Sequence, residues 1–430
     1  MIKKKQKRPW GVLAAIVLAI IFGSWVGEQG GLFGITFYSI VDIVGVIFLN
    51  ALTLVVVPLV SSSIITGMSR ISSEGALGRL GLKMFTFYIG TSLLAILIGL
   101  FFVNLINPGS GHIIASPTGL EVEQLSHLKE KIVNNEGATL VSVLLSIVPS
   151  NILAALSHGE MLGLIFFSLL FGYAISKIEE HPATMLKGFF QGVFQTMIEF
   201  THIIMKFLPY GVFALVAKVF MSSGIRSLGP VAWFALSVLL GLATFIFIGL
   251  PLLLKFVARV SPIRHFKAMA PALVTAFSTS SSSATLPITI DCVEKRAGVS
   301  NRICSLVVPL GTSINMSGSA LYECVAAMFI AQAYGIDLAF STQFLIVIMA
   351  LITSIGVAGI PSASLVAILV ILKVIGLPPE GIGLFIAVDR VLDMCRTTVN
   401  VFSDSCCAIL VAKSEGEKNV LVLDPNQMES

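Results

Sequence analysis

Long apolar runs alternate with short polar ones along almost the whole chain. After MIKKKQKRPW come about 17 apolar residues, which predict a spanning helix over 9–27. Further apolar runs lie near 35–67, 80–107, 139–176, 189–218 and 230–257. Less regular ones follow near 266–290, 301–334, 342–372 and 378–413. Runs of about 18 or more apolar residues are long enough to cross a bilayer. The stretch 108–138, opening on Pro108-Gly109, is polar and reads as a long loop, and 414–430 reads as a solvated tail.

Composition agrees with this pattern. Of 430 residues, 56% are hydrophobic and 12% charged. Soluble domains carry about a quarter charged residues, so this chain cannot cover a soluble surface of its size. A soluble enzyme, a disordered chain and a secreted disulfide scaffold are excluded. The basic start has the outline of a secretory signal, but no small-x-small cleavage site follows and further long runs come after it, so it reads as a first span. The six cysteines lie in the C-terminal half without CxxC spacing and read as small buried hydrophobes.

The net charge of +4 matters less than where the charge sits. With a cytoplasmic N-terminus, and with 266–290 and 342–372 each entering and leaving on one side, 19 of the 27 Lys and Arg face the cytoplasm and 5 face outward. That asymmetry supports this topology, with both termini inside. One extra crossing would invert everything downstream, so the two irregular segments read as hairpins.

Four places after residue 265 break the apolar pattern. Ser278–Ser283 puts six hydroxyl residues between apolar flanks, followed by Ala-Thr-Leu-Pro287. A flexible linker is one reading. The tip of a re-entrant hairpin, offering hydroxyls and free N–H groups to an anion, is the other. Asn315-Met-Ser-Gly-Ser319 interrupts the span 301–334, as an unwound turn with carbonyls for a hard cation such as Na⁺ or as a small-residue packing interface. Gly356-Val-Ala-Gly-Ile-Pro361-Ser-Ala-Ser364 is a second break or a kinked helix.

The fourth is the strongest. Asp389, Asp393, Arg396, Asn400 and Asp404 recur at +4, +3, +4 and +4 and share one helical face. With Arg390, five ionisable groups stand on one span, at a cost on the order of 10 kcal/mol or more if they faced lipid. They must face protein or a water-filled cavity, as a self-satisfied ion-pair ladder or as a binding site. Three acids against two arginines leave one negative charge over. Pro287 to Asn315 and Pro361 to Asp389 are both 28 residues. Twice, a broken hairpin precedes a polar-interrupted span, the pattern of an inverted-repeat transporter.

At SSSSATLP, INMSGSALYE, GIPSAS and DRVLDMCRTTVNVFSD the sequence resembles the dicarboxylate/amino acid:cation symporter family, the glutamate transporters. The resemblance runs from VVVPLVSSSI at 55–64 to AILVAKSEGE at 408–417. It implies an all-α polytopic membrane protein of eight transmembrane helices and two re-entrant helical hairpins, with inverted repeats and an elevator-type fold, assembled as a homotrimer in the inner membrane. Residues 1–78 and 139–226 would form the scaffold. Residues 79–107 and 227–413 would form the transport domain, 108–138 an extracellular loop and 414–430 a cytoplasmic tail.

The resemblance also implies site residues. Ser281, Ser282 and Ser283 form the first hairpin tip, and Gly359, Ile360 and Pro361 the second, both against the substrate. Asp393 binds the substrate ammonium and Arg396 the side-chain carboxylate. Thr397 supports the ammonium, Asn400 meets the main-chain carboxylate and Ser319 contacts the substrate side chain. One Na⁺ lies on Asp404 with carbonyls of Gly311, Asn315 and Asn400. A second lies on carbonyls of Ser313, Ser354, Ile355 and Val357, and a third on Tyr88, Thr91, Ser92 and Asn315.

The chain departs from the family pattern at Ser317, where an Asp is usual, which puts the third Na⁺ site in question. Ser280 and Met394 stand where many members carry an arginine. Glu323 matches the glutamate of proton-coupled members and is a candidate H⁺ carrier. The expected function is symport of glutamate or aspartate with Na⁺, with H⁺ as a second candidate coupling ion. A symporter of C4-dicarboxylates or neutral amino acids is the alternative. A channel or an intramembrane hydrolase is disfavoured, since no histidine joins the polar stripe. The partners implied are a small amino acid, the lipid bilayer and two further copies of the chain, and no nucleic acid.

Overall fold

The computed structural model describes residues 10–27, 30–32, 35–73, 79–110, 148–158, 161–223, 228–356 and 364–421. The expected loop beyond Ser110, and the expected site residues Val357, Gly359, Ile360 and Pro361, lie outside the described residues.

The protein is a multi-pass membrane protein of the all-α class, and its described residues are mostly helical. Its only β structure among the described residues is a two-residue antiparallel pair, β1 (Gly31–Leu32) and β2 (Ile35–Thr36). The helices are α1 (Trp10–Val26), α2 (Phe37–Ser73), α3 (Arg79–Ile106), α4 (Ile152–His158), α5 (Met161–Ile175), α6 (Glu180–Met205), α7 (Leu208–Ser223) and α8 (Leu228–Thr244). There follow α9 (Pro262–Thr279), α10 (Ser282–Asp291), α11 (Asn301–Ile314), α12 (Ser317–Ala333), α13 (Phe340–Gly356), α14 (Ser364–Ile375) and α15 (Ile386–Ser414). Among the described residues, four stretches are long and apolar enough to cross a bilayer: Phe37–Ser69, Leu80–Ile106, Gly229–Ala258 and Asn301–Ala333.

One apolar run folds differently from its hydropathy, and one lysine sits elsewhere than expected. The run 189–218, expected as one segment, breaks at Lys206-Phe207, because Pro209 lacks an N–H and opens a new helix. Both halves still pack along α2. Lys218, one of the five cations counted above as facing outward, lies inside α7, where it is buried against Asp42 of α2 and sits 5.8 Å from the Tyr38 ring centre.

The first hairpin is α9 and α10. Its turn falls in the serine run: Ser280 adopts a left-handed backbone (φ 50°), and Ser281 is extended and caps α10 by accepting the Ala284 N–H at 3.2 Å. The second is α13 and α14, packed on each other. The helix α11–α12 is broken at Asn315-Met316, both outside helical geometry. α15 packs against α9, α10, α11, α12 and α3, so both arms of the first hairpin and the broken helix lie against it. The six cysteines are free thiols, five of them buried.

The tail is less solvated than its polarity suggests. Residues 414–421 cross the end of α15. Glu417 accepts the Ser300 N–H at 3.1 Å, Arg264 donates to the Leu421 carbonyl at 3.1 Å, and the Leu421 N–H reaches Ala297 at 2.9 Å. Lys83 of α3 donates to the Ser414 carbonyl at 2.8 Å. Val420 and Leu421 are buried. Leu421→Ala should therefore destabilise the protein by about 2 kcal/mol, the cost of emptying a buried leucine site. A thermal melt in detergent checks this, and an unaltered midpoint would mean that the strap only rests on the surface.

Candidate functional site

The five polar residues of α15 are all buried, as their shared face requires. Arg396 is 0% exposed. Its Nη2 donates to Asp393 Oδ1 at 2.7 Å and its Nη1 to Asp389 Oδ1 at 3.2 Å. The Tyr322 ring lies 3.9 Å beneath the guanidinium, and the Tyr322 hydroxyl donates to Asp389 Oδ1 at 2.9 Å. Arg396 Nε makes no hydrogen bond. A buried donor left over in this way marks a place where a further acceptor would be stabilised.

One turn on, Asn400 joins α15 to the broken helix. Its Oδ1 accepts the N–H groups of Gly318 (2.8 Å) and Ser319 (3.3 Å), and its Nδ2 donates to Ser319 Oγ at 3.1 Å. The break at Asn315-Met316 frees those N–H groups, because the first residues of a helix have no intrahelical acceptor. A Cβ on Gly318 would stand 2.9 Å from the Arg396 carbonyl oxygen, so only glycine permits this approach. Thr397 is buried on the same helix.

The third group centres on Asn315 and Asp404. Asn315 Nδ2 donates to Asp404 Oδ1 at 3.0 Å, to Ser403 Oγ at 3.2 Å and to Cys407 Sγ at 3.5 Å. The hydroxyls of Thr91 (3.1 Å), Ser92 (3.4 Å) and Ser317 (3.0 Å) converge on Asn315 Oδ1. Ser317 also lies 3.2 Å from Ser92 Oγ and 3.1 Å from Ser403 Oγ. The Tyr88 hydroxyl donates to the Val307 carbonyl. A Cβ on Gly311 would meet Asp404 Oδ1 at 2.6 Å and the Tyr88 oxygen at 3.2 Å. Gly311, Tyr88, Thr91, Ser92, Asn315 and Asp404 thus come together. The cluster holds one carboxylate among amide and hydroxyl oxygens, a donor set that suits a hard cation. Among the described residues no arginine or lysine pairs with Asp404, which makes it the leftover charge of the stripe.

Ser313 and Ile355 line one small cavity of about 30 Å³. Ser354 is buried, with its hydroxyl turned back to the Leu351 carbonyl at 2.8 Å. Ser281 and Ser282 are buried at the hairpin tip, whereas Ser283 is exposed. Glu323, fully buried on α12, accepts the Thr353 hydroxyl of α13 through Oε2 at 2.8 Å, and its Oε1 makes no hydrogen bond.

Tyr322, Ser403 and Cys407 are not among the residues expected at the site. Helical spacing points to all three. Tyr322 follows Ser319 by three, Ser403 follows Asn400 by three and Cys407 follows Asp404 by three, the same-face interval.

Buried charges, a broken helix and a cluster of buried oxygens in one bundle define a membrane protein with a polar interior. The chain belongs to the sodium:dicarboxylate symporter family, whose pattern matches residues 10–414. A proton/sodium-glutamate symport protein of Bacillus caldotenax is 35% identical to it over 419 residues, 95% of each chain. A proton/glutamate-aspartate symporter of Escherichia coli (strain K12) is 34% identical over 94% of this chain and 92% of its own. Excitatory amino acid transporter 3 of Homo sapiens is 35% identical over 96% of this chain and 86% of its own. The chain is therefore a transporter and not an enzyme.

Proposed function

We propose that the protein is a secondary symporter that takes up glutamate or aspartate with Na⁺, with H⁺ as the second candidate coupling ion. The observation that carries this reading is a fully buried guanidinium held 2.7 Å from a buried carboxylate on one span. An acidic amino acid has two carboxylates and one ammonium, net charge −1. Its side-chain carboxylate takes the Arg396 fork, and its ammonium takes the Asp393 oxygen released in that exchange. Its main-chain carboxylate meets Asn400 and the N–H groups of the serine tip at Ser281–Ser283. A neutral amino acid lacks the carboxylate that displaces Asp389 and Asp393 from Arg396. A C4-dicarboxylate leaves Asp393 without an ammonium.

Na⁺ binds at Asp404 with Gly311, Asn315 and Asn400, and at the Ser313, Ser354, Ile355 and Val357 carbonyls. At the position of a third Na⁺, Ser317 supplies a hydroxyl where a carboxylate would supply charge, so that set of Tyr88, Thr91, Ser92 and Asn315 holds a cation more weakly. The second hairpin, with Gly359, Ile360 and Pro361, covers the substrate. Residues 1–78 and 139–226 serve as the scaffold, and 79–107 and 227–413 move as the transport domain. The chain works as a homotrimer of elevator type, with eight spanning helices and both termini on the cytoplasmic side of the inner membrane. The packing of α1, α2, α5, α6 and α7 on one another, and of α3 on α8, α12 and α15, supports this division.

The test is uptake of labelled glutamate, aspartate, succinate and serine into proteoliposomes, with Na⁺ and pH gradients imposed separately. Glutamate or aspartate accumulation that collapses without the Na⁺ gradient is expected. Succinate uptake without amino-acid uptake would favour the dicarboxylate reading. Glu323→Gln should lower net uptake at least about fivefold and flatten its pH dependence, while exchange of internal for external amino acid continues. The expectation follows from Glu323 as a fully buried carboxyl on α12 that bonds Thr353 of the second hairpin. Identical pH profiles for variant and wild type would remove Glu323 as the proton carrier.

A further inference from the structure

Asp393 is held by two arginines. Arg396 Nη2 lies 2.7 Å from its Oδ1, and Arg390 Nη1 lies 3.6 Å from its Oδ2. The two guanidiniums approach different oxygens of one carboxylate from positions three residues either side of it on α15. Their surroundings differ. The Arg396 side chain is 0% exposed and is shared with Asp389, whereas that of Arg390 is 22% exposed. Among the described residues, the ion pair of Arg390 is with Asp393 alone.

We infer, on the reading of the site given above, that Arg390 is a positioning residue that keeps Asp393 ionised and aimed at the substrate ammonium while the substrate takes over Arg396. In the structure two carboxylates share the Arg396 fork. A substrate side-chain carboxylate entering that fork displaces at least one of them, and the bond from Nη2 to Asp393 Oδ1 stands in its way. Asp393 would then be a buried anion that has lost its closest cation, and a buried charge becomes costlier with each partner removed. Arg390 contacts the other oxygen, Oδ2, so its attraction persists through the exchange. Oδ1 is left free for the ammonium.

The charge count points the same way. Asp389, Asp393, Arg390 and Arg396 sum to zero, and an acidic amino acid brings the group to −1. Without Arg390 the occupied group would stand at −2. The loss of Arg390 therefore falls on binding of the anionic substrate rather than on the movement that follows.

The experiment compares full-length wild type, Arg390→Gln and Arg390→Lys in proteoliposomes, with KM and maximal rate for aspartate measured at saturating Na⁺. Arg390→Gln is expected to raise KM about tenfold and to leave the maximal rate within about twofold. Arg390→Lys keeps the charge without the planar fork and should raise KM only about threefold. The lysine variant keeps the test independent of how well the glutamine variant assembles. An unchanged KM in Arg390→Gln overturns the inference, as does a fall in maximal rate at constant KM or a lysine variant as impaired as the glutamine one. Wild type that takes up no amino acid at all overturns the reading of the site itself and this inference with it.

Discussion

Arg396→Cys is expected to abolish uptake of glutamate and aspartate in reconstituted vesicles, lowering it at least about 100-fold. The side chain is fully buried, and its guanidinium is the common partner of Asp389 and Asp393. Truncating one member of a buried ion-pair group costs about 3–5 kcal/mol, largely because the remaining charges are left without partners. Every factor of ten in affinity is about 1.4 kcal/mol, so the loss for an anionic substrate exceeds two orders of magnitude. Arg396→Lys should not rescue it, since an ammonium cannot present parallel donors to a carboxylate while stacked on the Tyr322 ring. Serine uptake by the cysteine variant is the informative control. A neutral substrate makes no demand on the missing charge, so retained serine transport shows an assembled protein with altered selectivity. Glutamate uptake at the wild-type level would remove Arg396 from its assigned role.

Asp404→Asn and Gly311→Ala should both uncouple uptake from Na⁺, for two different reasons. Asp404 is the carboxylate of the cluster around Asn315, and the amide removes the charge that offsets dehydration of the ion. The Na⁺ concentration for half-maximal uptake should rise at least about 30-fold, or Na⁺ dependence should disappear. Gly311→Ala leaves the charge in place and acts by volume, because its Cβ would stand 2.6 Å from Asp404 Oδ1. Here a rise of about tenfold is expected, with the response to substrate less affected. The two together separate charge from space. A Na⁺ titration at saturating substrate is the measurement, and wild-type curves for both variants would show that this cluster binds no coupling ion.

Much of the site was legible in the chain because helices are local. A helix converts sequence spacing directly into a face, so the intervals from Asp389 to Asp404 were enough to put those groups on one side of one span. The membrane supplied the sign, since lipid rejects such a face and protein must cover it. The interruption at Asn315-Met316 and the hairpin turn at Ser280-Ser281 were equally readable, because hydroxyl-rich and glycine-containing stretches compete poorly as helix interiors.

The remainder came from long-range packing. Nothing in the pattern of α3 says that Thr91 and Ser92 meet Asn315 more than 220 positions away. They meet because α3 lies against α12, and many crossing geometries share the same hydropathy. The pairing of Glu323 with Thr353, and the seat of Tyr322 beneath Arg396, arise in the same way. The strap at 414–421 looks soluble by composition, yet two apolar residues at its end find a cover only once α9, the turn before α11 and α15 have been brought together.

The sequence by itself determined that this is a polytopic membrane protein with one charged crossing and two interrupted hairpins, because burial of charge and helix periodicity act over a few residues and leave their mark in spacing. Only the tertiary structure decided that the hydroxyls of Thr91, Ser92 and Ser317 converge on Asn315, which acids latch Arg396 and which second arginine stands behind Asp393. Those contacts depend on how rigid helices cross, a property of summed side-chain shape that no single segment carries.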